Sequence, residues 1–318
     1  MRAKVRPYGL ELLAVGLIGA IALRGRVGGA FGSPRAQEWV TVFVAIVVQA
    51  MPFVVLGTLL SAAIAVLVPE RFFARALPAR PALAVPVAGI AGLALPGCEC
   101  ASVPVAGALM RRGVTPAAAL AFLLAAPAIN PVVLAATAVA FPGEPMMVVA
   151  RLVASLATSV AMGWLWLRLG RGDWLRTPHR EPVSGSRAVA YFATVRQDAA
   201  DAAGFLVLGA AAAACLNVLV PQQWLHVLAG RAVLAVVALA GLAVLLSICS
   251  EADAFVAASL SQFSLTARLA FLVVGPMVDL KLFAMQVGAF GRRFAIRFAP
   301  ATFAVGVTLA VATAGALL

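Results

Sequence analysis

Between short clusters of arginine this chain is apolar for stretches long enough to cross a lipid bilayer, and that excludes most folds open to 318 residues. In hydrocarbon every backbone N–H and C=O needs a partner within the protein, which leaves helices or a closed barrel. A barrel would alternate apolar and polar positions over segments of about ten residues. These runs are rich in Ala and Leu and do not alternate. With 64% hydrophobic residues, 11% charged and a mean hydropathy of +1.04, the chain reads as an all-α polytopic membrane protein whose first partner is the lipid bilayer.

The net charge of +12 does not point to nucleic acid, because the arginines lie between apolar runs rather than along one amphipathic face. A positive-inside pattern explains them. It places the N-terminus and the arginine-rich 170–198 linker in the cytoplasm of a bacterial-type inner membrane. The apolar run Leu10–Leu23 reads as a first span rather than a signal peptide, since no small-x-small cleavage site follows it. The organisation expected is an N-terminal segment and loop (1–38), a first repeat (39–169), the linker, and a second, inverted repeat (199–318). Four cysteines outside any extended extramembrane domain do not form a disulfide framework. Cys215, in a plain apolar run, is expected in the core.

The stretch from Leu95 to Pro131 breaks the apolar pattern with thiols, a carboxylate, prolines and an asparagine. Pro96-Gly97 ends a marginal helix, Cys98-Glu99-Cys100 follows, and a short helix from Ser102 to Met110 precedes Arg111-Arg112. Such a helix is too short to cross a hydrocarbon core of about 30 Å, so it suggests a re-entrant hairpin. Thr115-Pro116 then matches an N-cap with proline at the first helical position. That helix is expected to reach Ala126, Pro127 to interrupt it, and Asn130-Pro131 to start a second half-helix ending near Ala140. Met146 to Leu169 spans back, with Trp164 and Trp166 as an interfacial belt. The second set is Ala199–Val220, Ala232–Ile248, a short helix after Cys249, Leu265–Phe290 and Phe294–Leu318.

The two sets share a pattern. Phe53-Val54-Val55-Leu56-Gly57 recurs as Phe205-Leu206-Val207-Leu208-Gly209 at the same offset that brings Val66-Leu67-Val68-Pro69 onto Val218-Leu219-Val220-Pro221. Small gaps then align Cys98 with Cys249, Pro127 with Pro276 and Asn130 with Asp279. The first set enters from outside and the second from inside, which predicts an inverted-topology internal repeat with two re-entrant hairpins and broken transmembrane helices, a plan common among secondary transporters.

The C-x-C followed by a short helix and a basic pair, then Ala121-Phe122-Leu123-Leu124-Ala125-Ala126-Pro127 and Asn130-Pro131, resembles the predicted-permease family that includes the ArsP-type organoarsenical efflux permeases. The second copy, Cys249 and later Ala270-Phe271-Leu272 with Gly275-Pro276, is weaker. The resemblance runs from about Val40 to Phe290 and implies a polytopic inner-membrane permease; the family is broad, and membership alone does not imply arsenic. Cys98, Cys100, Asn130 and Pro131 lie on the motif. The chain departs from it with Glu99 between the thiols and with Glu251 and Asp253 after Cys249.

Thiols placed just before a helix N-terminus are favoured as thiolates, soft ligands suited to Cu(I), Zn(II) or a trivalent metalloid. Cys98, Cys100 and Cys249 are therefore the candidate metalloid ligands, with a small buried thiol the plainer alternative for each. A charge at mid-span costs roughly 2.5–3.5 kcal/mol on insertion scales, so Glu99, Glu251, Asp253, Asp279 and Lys281 should face an inner cavity and pair. Two residues apart on a helix do not face each other, so Lys281 is expected to pair with Glu99 or Asp253 rather than Asp279. One of these carboxylates could also carry a proton as coupling ion. Asn130 and Asp279 read both as N-caps and as substrate-facing half-helix ends. Together Cys98, Glu99, Cys100, Asn130, Cys249, Glu251, Asp253, Asp279 and Lys281 form the expected substrate site of an exporter of a small soft solute, with trivalent organoarsenicals or related metalloids leading. The alternatives are an unrelated small solute or an intramembrane thiol–disulfide oxidoreductase. No G-x-x-x-x-G-K-[ST] stretch is present, nothing calls for a cofactor, and a homo-oligomer is open.

Overall fold

The computed structural model describes residues 34–68, 77–94, 99–176, 186–219, 232–250 and 252–318. The expected first span, Cys98, Glu251, His179 and His226 lie outside these residues. The described chain forms twelve α-helices and no strand. They are α1 (Pro34–Leu67), α2 (Pro81–Ala91, extended by a 3-10 turn to Ala94), α3 (Glu99–Arg111), α4 (Pro116–Ile129), α5 (Pro131–Ala140) and α6 (Met146–Leu169), followed by α7 (Arg187–Leu219), α8 (Ala232–Leu246), α9 (Asp253–Ser259), α10 (Leu265–Val274), α11 (Leu280–Phe290) and α12 (Arg292–Leu317).

Among the described residues five helical stretches are long and apolar enough to cross a membrane: α1, the α4–α5 pair, α6, Arg187–Cys215 of α7, and α12. Their outer faces carry Val48, Val139 and Leu208, each more than half exposed, an arrangement that water would penalise and lipid tolerates. The chain is an all-helical polytopic membrane protein. At 13 residues, or about 20 Å, α3 falls short of the hydrocarbon thickness.

Several helix contacts come in matching pairs, although among the described residues α1–α3 and α7–α11 are not repeated in the other set. The α2–α4 contact is repeated by α8–α10, α4–α6 by α10–α12, and α2–α6 by α8–α12; α3 touches α11 as α9 touches α5. Two further contacts, α1 against α7 and α6 against α12, join the two sets. The glycines of the repeated Phe-x-Val-Leu-Gly motif sit where backbones meet. A Cβ on Gly57 would lie 2.5 Å from the Ala101 Cα of α3, and one on Gly209 would collide with the Lys281 backbone of α11. Only glycine allows either approach.

Several boundaries differ from the sequence reading. The α4 helix runs through Pro127 to Ile129 and stops at Asn130, whose backbone is extended (φ −62°, ψ 155°). A proline restricts the residue before it, so Pro131 sets the stop. The lost hydrogen bond at Pro127 falls in the last turn of a helix buried along its length, where packing outweighs it. Helix α3 starts at Glu99, which puts Cys100 inside its first turn rather than before it. Helix α7 starts at Arg187, within the stretch read as linker, with the Ser186 hydroxyl accepting from the Val189 N–H at 3.4 Å. Its first turns are tied to α1, where the Tyr191 hydroxyl donates to the Leu59 carbonyl at 3.3 Å. Cys215 is exposed rather than in the core, and accepts a hydrogen bond from Trp39 Nε1 at 3.1 Å across the α1–α7 contact.

Candidate functional site

Helix α10 ends at Val274, the chain continues through tight turns in which the Val278 N–H donates to the Val274 carbonyl at 2.8 Å, and α11 begins at Leu280. Asp279, extended at φ −142° and ψ 172°, caps α11 by accepting the Leu282 N–H at 2.6 Å. Two residues on, in the first turn, Lys281 is buried with 1% of its surface exposed. An ammonium at the positive end of a helix dipole is unfavourable by itself, so its burial depends on neighbouring anions.

Those anions come from both sets of helices. Lys281 Nζ lies 2.5 Å from Glu99 Oε1, at the start of α3, and 3.6 Å from Asp279 Oδ2. It donates to the Ser247 carbonyl at 2.9 Å and lies 4.0 Å from Cys249 Sγ, both in the break after α8. Cys100 is also within electrostatic reach of the ammonium. Glu99, Cys100, Ser247, Cys249 and Asp279 are all buried. The Asp279 contact departs from the expectation, because that residue is the cap and not part of the helix; its extended backbone, not helical spacing, sets the geometry.

The break after α8 is held in place by Ser247, the one non-glycine residue described with a left-handed backbone (φ 49°). Its hydroxyl accepts from the Leu280 N–H at 3.2 Å while its carbonyl takes Lys281. A conformation of this kind costs about 1–3 kcal/mol, which these bonds to α11 offset. Three helix ends therefore converge on one lysine.

A predicted-permease family profile covers residues 35–315 of the sequence. The chain belongs to this ArsP-type predicted-permease family. It is 36% identical over 278 residues to the UPF0718 protein YcgR of Bacillus subtilis, covering 85% of this chain and 94% of that one. It is 30% identical over 270 residues to a Streptococcus mutans protein described as a putative two-component membrane permease complex subunit, covering 82% and 90% respectively. No solved structure matches. The protein is thus a multi-pass membrane permease.

In this permease Asp253 does not join the Lys281 cluster. It pairs with Arg151 of α6, Nη2 to Oδ2 at 2.8 Å, while the guanidinium also donates to Thr137 Oγ1 at 2.8 Å and to the Ser250 carbonyl at 3.3 Å. Arg151 is fully buried. The sequence reading passed over it as part of an apolar span. An arginine inside an apolar span is the signal that would have found it, since it needs a buried acid as partner.

Asn130 caps α5, its Oδ1 accepting from the Val133 N–H at 3.0 Å, in the way that Asp279 caps α11. The basic pair of the family motif has a bracing role. Arg112 donates to the Ile64 carbonyl at the end of α1 at 3.1 Å, and Arg111 approaches Asp198 of α7 at 3.9 Å beside Ser61, which donates to the same carboxylate at 2.7 Å. Among the described residues no three His, Cys, Asp or Glu side chains are grouped as a metal site; Cys98 and Glu251 lie outside those residues.

Proposed function

We propose that this permease exports a small soft solute, with trivalent organoarsenicals or related metalloids as the leading class, through the cluster centred on Lys281. The observation that carries this reading is the convergence of two thiols, Cys100 and Cys249, with one lysine and two carboxylates at helix ends contributed by both sets of helices. Sulfur is the soft ligand that a trivalent metalloid prefers. Cys98 immediately precedes Glu99 in the sequence.

The matching helix contacts support an inverted-topology repeat, with the broken α4–α5 and α10–α11 pairs and the short α3 and α9 helices at its centre. On that plan the 170–198 stretch and the N-terminus face the cytoplasm, and the membrane is a bacterial-type inner membrane. Protons fit as coupling ions, because two carboxylates share one ammonium. Of the two, Asp279 Oδ2 stands further from Lys281 than Glu99 Oε1 does, and it is the carboxylate assigned the proton in this reading.

Everted vesicles test the reading. Wild type should accumulate trivalent methylarsenite when a proton gradient is present, and Cys100→Ser and Cys249→Ser should lose most of that accumulation. Accumulation that persists in both variants would rule out the thiols as ligands. Accumulation unaffected by collapsing the gradient would rule out proton coupling.

A further inference from the structure

Away from the Lys281 cluster, the end of α6 and the first half of α12 leave an open cavity of about 210 Å³. Its walls are Met162, Trp166, Leu169 and Phe298, closed at one end by Trp174 and Arg297. Trp166 was expected to sit in the interfacial belt beside Trp164. It turns inward instead and packs edge-on against Phe294 at 5.4 Å, whereas Trp164 remains exposed. The walls of the cavity are therefore rigid aromatic and aliphatic groups, and its mouth is charged.

The Arg297 guanidinium stacks over the Trp174 ring at 4.6 Å, with that of Arg171 at 5.7 Å from the same ring. The loop that carries Trp174 is tied to the α11–α12 corner by a hydrogen bond from the Arg176 N–H to the Phe290 carbonyl at 2.9 Å. Around this mouth Arg168, Arg171, Arg176, Arg293 and Arg297 are all exposed, opposed by Asp173 alone among the residues of that loop. The same feature combines an apolar slot at membrane depth with a cationic rim at the helix ends.

We propose that this cavity binds an anionic phospholipid, one acyl chain lying along Trp166 and Phe298 and its phosphate held by Arg297 and Arg171. Basic pockets between membrane helices recognise anionic headgroups in this way. An anionic phospholipid carries both the charge that the rim accepts and the apolar chain that the slot accepts. Free phosphate would leave the apolar walls unused, so the occupant is a lipid with a charged head.

The test uses the purified full-length protein in vesicles of phosphatidylcholine containing increasing fractions of phosphatidylglycerol with brominated chains, reading tryptophan quenching. Brominated phosphatidylglycerol should quench at a lower mole fraction than brominated phosphatidylcholine. Arg297→Gln combined with Arg171→Gln should make the two lipids equivalent, while Arg35→Gln, on α1, should leave the preference intact. Both sets of arginines are exposed, and unchanged helix content by circular dichroism verifies the fold of each variant. Equal quenching by the two lipids in wild type would overturn the proposal. So would a preference that survives the double arginine variant, or one that remains when Trp166 and Trp174 are both replaced by phenylalanine.

Discussion

Removing one member of a buried ion pair leaves the other charge without compensation, which costs about 3–5 kcal/mol, whereas replacing both with apolar groups of similar size is often neutral. The Arg151–Asp253 pair meets these conditions, with 0% and 2% of the two side chains exposed and 2.8 Å between them. Arg151→Met and Asp253→Leu should each lower stability in detergent by roughly that amount, and the double variant should recover most of the loss. Thermal unfolding of the four proteins measures the cycle; additive losses would mean that the pair is not coupled. Lys281→Met should be as severe, since Glu99 and Asp279 both lose their cation. At this scale the sequence was informative where a charge stood alone in an apolar run, as Lys281 does. It was silent on which acid would meet which base, because partners are set by helix placement: Glu99 went to Lys281 and Asp253 to Arg151, and no spacing along the chain distinguishes the two.

Helix packing separates glycines that look alike in sequence. On α7, a Cβ at Gly204 would meet nothing within 4 Å, whereas one at Gly209 would run into the Lys281 backbone. Gly204→Ala should therefore stabilise by up to about 1 kcal/mol through helix propensity. Gly209→Ala should destabilise by about 1–3 kcal/mol, because α11 is forced away and carries Lys281 with it. Unfolding midpoints of the two variants decide the point, and a neutral Gly209→Ala would show that α11 does not seat on α7 as described. At the helix starts, Asn130→Ala removes a cap of α5 and should cost about 1 kcal/mol. The caps at Asn130 and Asp279 were legible because asparagine or aspartate at a helix break leaves few other roles. The stop of α4 was read too early at Pro127, since a proline inside a helix is costly on local grounds and the compensating burial is invisible in sequence. The start of α7 was read too late because its first turns are held by Ser186, which accepts from the Val189 N–H, and by the Tyr191 hydroxyl on the Leu59 carbonyl, not by apolar periodicity.

For the whole molecule, the repeated motif and the matching contacts make a claim about direction that packing alone does not contain. If the halves are inverted, equivalent turns face opposite sides of the membrane. The turn between α5 and α6, where Glu144 is exposed, corresponds to the corner between α11 and α12, where Arg292 is exposed. Glu144→Cys and Arg292→Cys, each made in a protein whose exposed Cys215 is replaced by serine, should react with a membrane-impermeant thiol reagent from opposite faces of sealed cells and everted vesicles. Both positions lie in short polar turns at helix ends, so a cysteine disturbs neither core. Labelling of both from one face would mean parallel rather than inverted halves. It would also take away the reason for two broken helices to bring their capped ends toward one site from opposite sides. The Arg176–Phe290 hydrogen bond ties the arginine-rich mouth beside Trp174 to the Arg292 side, so the face from which Arg292→Cys labels fixes which leaflet supplies the anionic lipid. That is the leaflet in which brominated phosphatidylglycerol must be placed to quench.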